Sequence, residues 1–143
     1  MNKSTNIPSW LLALTGLFFI SNLFIFGGTA LFSPFTAFPD AGNGAVFPIQ
    51  FFAIRHVAFA FPLLYGLITR NRTVLITMFS IFLIMSGLDI LWLYIYDYNI
   101  PIVGLIPAVG SLSAAGKVLV GLLGLFMPTG IALWFLVNRV EAE

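Results

Sequence analysis

Arg55, His56 and Asp89 are the side chains that could carry chemistry in this sequence, and each lies inside a long apolar stretch. A carboxylate can accept a proton or anchor a ligand hydroxyl. A guanidinium can hold a developing negative charge, and an imidazole can move a proton near neutral pH. These three are the catalytic candidates. An isolated charge at mid-bilayer costs roughly 2.5–3.5 kcal/mol on insertion scales, so such residues face one another or a polar cavity. Arg55 lies eight residues after Phe47, and Asp89 lies eight residues before Asp97. At 1.5 Å per residue both come out about 12 Å from the same edge, which predicts a facing pair.

The stretches that position them are four predicted spans, roughly 9–32, 47–69, 73–96 and 112–137. Each is near the ~20 residues that cross ~30 Å of hydrocarbon, and only helices satisfy their own backbone there. The expectation is an all-α integral membrane four-helix bundle, one multi-pass domain over residues 1–143. Lys3 ahead of the first apolar stretch resembles a leader, but the stretch is long and no small-x-small site follows it, so retention is expected. Lys3, Arg70, Arg72 and Arg139 flank one side, while Asp40 and Asp97 lie on the other. The positive-inside rule then predicts both termini in the cytoplasm. Trp10 and Trp134 fit an inner aromatic belt, and Trp92, Tyr94, Tyr96 and Tyr98 an outer one. The short 69–73 connection makes spans two and three antiparallel neighbours. The Phe- and Pro-rich segment 33–46 and the Pro- and Gly-punctuated segment 97–111 are too apolar for ordinary wet loops and are expected to lie along the outer surface.

Further polar groups gather at similar depth. Asn22 sits near the middle of span one, and Lys117 lies about 8 Å into span four. Thr15, Asn22 and Thr29 repeat every seven residues. Lys117, Gly121, Gly124 and Pro128 share a face at i, i+4, i+7, i+11 spacing. Ser86 lies one turn before Asp89, with Trp92 and Tyr96 beyond it, and Phe59 follows Arg55 by one turn. Asn22, Phe59, Ser86, Trp92, Tyr96 and Lys117 therefore form the candidate ligand-binding set, with aromatic walls and a polar floor as in small-molecule pockets. Bland readings stand beside this one. The Arg55–Asp89 pair can fix helix register, Lys117 can reach to headgroups, Asn22 can bind helix to helix, and His56, about 100° round from Arg55, can simply be packed.

Composition narrows the classes. The chain is 60% hydrophobic and 8% charged, with a mean hydropathy of +1.07. It cannot cover a water-facing surface, so membrane lipid is its expected solvent. A net charge of +1 with no basic patch argues against nucleic acid. With no cysteine and one histidine, thiol chemistry, disulfides and a histidine-rich metal site are not expected, and no cofactor is indicated. Phosphate-binding loops and nucleophile elbows are missing from the sequence.

The segment from Phe51 to Leu93 resembles the DoxX-like group of small four-span membrane proteins. The resemblance rests on Ala53-Ile54-Arg55-His56-Val57-Ala58 early in span two, the basic turn Thr69-Arg70-Asn71-Arg72, and Ser86-Gly87-Leu88-Asp89 late in span three. It implies a compact four-helix bundle in which Arg55 and Asp89 hold the family's polar positions; it implies no reaction. The expected function is binding of a lipophilic small molecule, of quinone, terpenoid or lipid type, in an outward-leaning pocket, with enzymatic action on it left open. Two alternatives remain: a non-catalytic subunit of a larger membrane complex, and a homo-oligomeric anion channel or transporter.

Overall fold

A computed structural model describes residues 7–37, 43–96 and 111–139. All regular structure among them is helical. Four helices are long and apolar enough to cross a membrane: α1 (Ser9–Phe32), α2 (Val46–Thr69), α3 (Arg72–Tyr96) and α4 (Ala114–Asn138). Their bounds fall within two residues of the predicted spans. A helical turn, Pro34–Ala37, and a 3-10 turn, Asn43–Ala45, lead from α1 to α2. Lys3, Phe38, Pro39, Asp40, Gly42, Asp97, Tyr98 and the rest of 97–110 lie outside the described residues.

Consecutive helices pack side by side, α1 on α2, α2 on α3 and α3 on α4. The α2–α3 turn is tight. Arg70 adopts a left-handed conformation (φ 51°, ψ 37°) and ends α2, with the Asn71 N–H donating to the Gly66 carbonyl at 3.2 Å. Asn71 then starts α3, its side-chain oxygen accepting from Val74 N–H at 3.1 Å. Arg72 reaches across to the last turn of α4. Its Nε donates to the Leu136 carbonyl at 2.8 Å and its Nη2 to the Val137 carbonyl at 3.0 Å. These carbonyls have no partner within the helix, and a cation there also meets the negative end of the helix dipole. Trp10 meets Phe135 edge-on at 5.1 Å. The α2–α3 turn, the start of α1 and the end of α4 therefore share one end of the bundle, here called the terminal end.

The main core fills that half. Leu11 from α1, Leu63 from α2, Leu75 and Phe79 from α3 and Leu136 from α4 are fully buried, with Phe18 and Phe82 at its distal edge. A second buried cluster, Ala30, Ile49 and Ala53, joins only α1 and α2 at the distal end.

Two helices change pitch midway. α1 is π-helical over Ser21–Gly28 and α4 over Leu122–Phe126. A π turn holds more residues than an α turn, so the inward stripe shifts. In α1 it runs Leu11, Thr15, Phe18, Asn22, then steps five residues to Gly27 and on to Ala30. The seven-residue repeat expected to continue to Thr29 stops here: Thr29 is only partly buried and its hydroxyl donates to Phe24 O, five residues back. In α4 the stripe runs Lys117, Gly121, then Thr129, Ala132 and Leu136. Gly124, expected on this face, is exposed with open space where a Cβ would stand. Pro128, which lacks an N–H and whose ring in a regular helix would strike the Gly124 carbonyl, sits just beyond this wider turn.

Candidate functional site

An aromatic layer closes the distal side of the core. Phe18 lies 5.6 Å from Phe79 and 5.5 Å from Phe82, and Phe59 lies 5.8 Å from Phe82. The candidate polar residues stand one helical turn beyond this floor. Asn22 follows Phe18 by four residues on α1, and Ser86 follows Phe82 by four on α3. Arg55 and His56 precede Phe59 by four and three on α2, which runs the other way. Phe59 is thus part of the floor, and groups from three helices share one level.

The sharpest contact at this level joins α1 to α2. His56 Nδ1 lies 2.7 Å from Asn22 Oδ1, and both side chains are buried. The amide orientation follows from its other bond, since Asn22 Nδ2 donates to the Phe18 carbonyl at 2.8 Å. Asn22 Oδ1 is therefore the acceptor, and His56 Nδ1 carries a proton. Close backbone approach allows this: a Cβ on Gly27 would fall 2.6 Å from Val57 Cγ2 and from the Asn22 carbonyl oxygen. Two rings flank the imidazole, Phe52 at 4.3 Å and Phe26 at 5.3 Å between centroids. His56 Nε2 is buried with no hydrogen-bond partner.

Arg55 points elsewhere. Its guanidinium carbon stands 5.1 Å from the Phe52 centroid, and its Nε is also buried without a partner. Asp89 lies within electrostatic range of Arg55. The predicted direct pair is not formed, however; among the described residues no hydrogen bond or ion pair joins the two, and Asp89 is exposed on α3. Helical phase explains it. The inward position at this height belongs to Ile90, whose Cγ1 would meet a Cβ on Gly121 at 3.1 Å, so Asp89 is turned about 100° off the α3–α4 contact. Phe52 meanwhile holds Arg55 along its own helix.

Ser86 is buried and bonds back to its own helix, to the Phe82 carbonyl at 2.7 Å. Lys117 is 6% exposed and engaged, so its stem faces the bundle and does not extend to the surface. It lies one turn beyond Gly121, hence distal to Asp89. Trp92 and Tyr96 lie on the last turns of α3, but their side chains fall outside the described residues. No group of three or more potential metal ligands occurs among the described residues. The sequence did not single out Phe52, Phe26 or Gly27. Phe52 was within reach of spacing arguments, because it stands three residues before Arg55 and four before His56 on one helix face. Phe26 and Gly27 owe their positions to the π segment, which no residue pattern announced.

No protein-family model matches this chain, and no curated protein or solved structure matches it either. The chemistry of the site rests on its own residues. They offer two buried nitrogens without partners, one carboxylate within electrostatic range, and an apolar wall of phenylalanines.

Proposed function

We propose that this chain is a multi-pass membrane protein, with both termini in the cytoplasm, that binds a lipophilic small molecule in the distal half of its bundle. One observation carries the reading. Polar side chains from α1, α2 and α3 lie at one level above an aromatic floor, with Asn22 and His56 in contact, in the half where the four helices share no buried apolar cluster among the described residues. A buried polar atom left unpaired costs about 1–3 kcal/mol, so Arg55 Nε and His56 Nε2 together favour an incoming polar headgroup. Lipid, quinone and terpenoid molecules all combine such a headgroup with an apolar body. The DoxX-like resemblance agrees with the four-span layout and supplies no ligand.

A channel fits less well. The terminal half is plugged by Leu11, Leu63, Leu75, Phe79 and Leu136, and the hydroxyls of Thr15, Thr77 and Thr129 within it bond back to their own helices. The test is to purify the protein in native-lipid nanodiscs and compare its extracted lipophiles with those of the bulk membrane by mass spectrometry. A species enriched several-fold in the wild type and lost in Arg55→Leu supports the reading. A lipid profile indistinguishable from bulk membrane overturns it.

A further inference from the structure

His56 Nε2 restricts what the headgroup can be. Asn22 Oδ1 accepts from Nδ1, and the Asn22 amide cannot flip without placing its oxygen against the Phe18 carbonyl. In its uncharged form the ring therefore keeps its single proton on Nδ1 and leaves a lone pair at Nε2. That atom is covered by protein and has no partner. An acceptor so placed is satisfied only by a donor. Ketones, ethers and esters carry acceptors alone, whereas a neutral lipophile that donates strongly is an alcohol or phenol.

Phe52 is the nearer of the two rings against this imidazole. Phe52 touches both residues that own an unpartnered nitrogen, at 4.3 Å from the imidazole centroid and 5.1 Å from the Arg55 guanidinium carbon. It is only partly buried. Of the two rings against His56, it is the one that also reaches Arg55, so its displacement opens space beside both residues. Resting on the pocket reading above, we propose that His56 Nε2 is the contact for a hydroxyl-headed lipophile, which donates to it when the Phe52 ring moves aside. The hydroxyl oxygen keeps lone pairs of its own, and Arg55 Nε–H is the nearest unpartnered donor along the helix to meet one. Asn22 acts here as a positioning residue: it fixes which imidazole nitrogen is the acceptor and does not touch the ligand.

The test uses the full chain in nanodiscs and two photoreactive probes, a sixteen-carbon primary alcohol with a mid-chain diazirine and its methyl ether. Labelling is read by intact-protein and peptide mass spectrometry. The wild type should label with the alcohol about fivefold more than with the ether, the worth of one net hydrogen bond. Phe52→Ala should raise alcohol labelling, since the space beside both residues is then open. Asn22→Leu should shrink the alcohol-to-ether ratio towards one, because the ring proton is no longer held on Nδ1. Equal labelling of the wild type by both probes at peptides lining the distal half overturns the hydroxyl contact and leaves the pocket standing. Labelling by neither probe overturns both readings. The wild-type comparison needs no variant, so a misfolded mutant cannot blur it.

Discussion

At the terminal end, side chains from all four helices interlock with no exposed surface, and a cation closes the last turn of α4. At the distal end, α1 and α2 share a small cluster of their own, and α3 meets α4 through Gly121–Ile90 and Gly87–Phe126. Among the described residues, the buried polar side chains Asn22, His56, Ser86 and Lys117 lie in this second region, against Thr15 and Thr129 in the first, and both unpartnered nitrogens are there. Lipid tails are as apolar as leucine, so close packing rather than water exclusion holds such helices together. The half that packs best is then the anchor. The half that packs least is where unsatisfied groups can be kept ready for a guest, at a stability cost the anchor can absorb.

The largest effect that would test this division comes from Phe79. It is fully buried and meets Phe18 edge-on. Phe79→Ala should cost about 3–5 kcal/mol from lost contacts and the cavity left behind. Ser86→Ala, less than two turns away across the aromatic floor, removes only a bond to its own helix and should cost under about 1 kcal/mol. Equilibrium unfolding in detergent or nanodiscs measures both. Similar losses at the two positions would show that the halves are not different in kind.

A smaller effect is expected at the terminal end itself. Arg72→Gln removes the cation and at least one of two hydrogen bonds to the α4 carbonyls, one partly buried and one exposed. The expected loss is about 1–2 kcal/mol, weakened by salt because half of the interaction is solvent-facing. Hydrogen exchange should also rise in the last turn of α4 and leave the distal half unchanged. Uniform exchange changes along the chain would mean that Arg72 does more than hold that turn.

Much of the terminal half was legible in the sequence. Span limits follow from apolar length, and the tight connection follows from Thr69 to Thr73. The distal half was legible in content but not in geometry. Asn22, Arg55, Asp89 and Lys117 are recognisable from the sequence as polar groups towards one side of the membrane, because depth depends only on rise per residue. Which of them touch depends on helical phase. Phase was read on the assumption of uniform α-helix, and the π segments shift it by part of a turn. So Thr29 and Gly124 were assigned to faces they do not occupy. The expected Arg55–Asp89 pair is not formed for a related reason: Ile90, one residue on, is the residue that packs against Gly121, and a spacing argument cannot choose between neighbours.

The smallest effect belongs to that pair, and it tells the two regions apart most finely. If Arg55 and Asp89 formed a buried ion pair, Arg55→Leu would strand a charge, and restoring neutrality with Asp89→Leu would recover several kcal/mol. Here the two groups interact only at range, Asp89 is exposed, and Phe52 rather than the carboxylate is the close neighbour of the guanidinium. The coupling energy in a double-mutant cycle should then stay below about 1 kcal/mol. Arg55→Leu alone should be close to neutral, since it removes an unsatisfied buried nitrogen along with the charge. A coupling above about 2 kcal/mol would mean that the carboxylate and guanidinium close on each other in the bilayer, and the distal half would then be a second anchor and not a site held open.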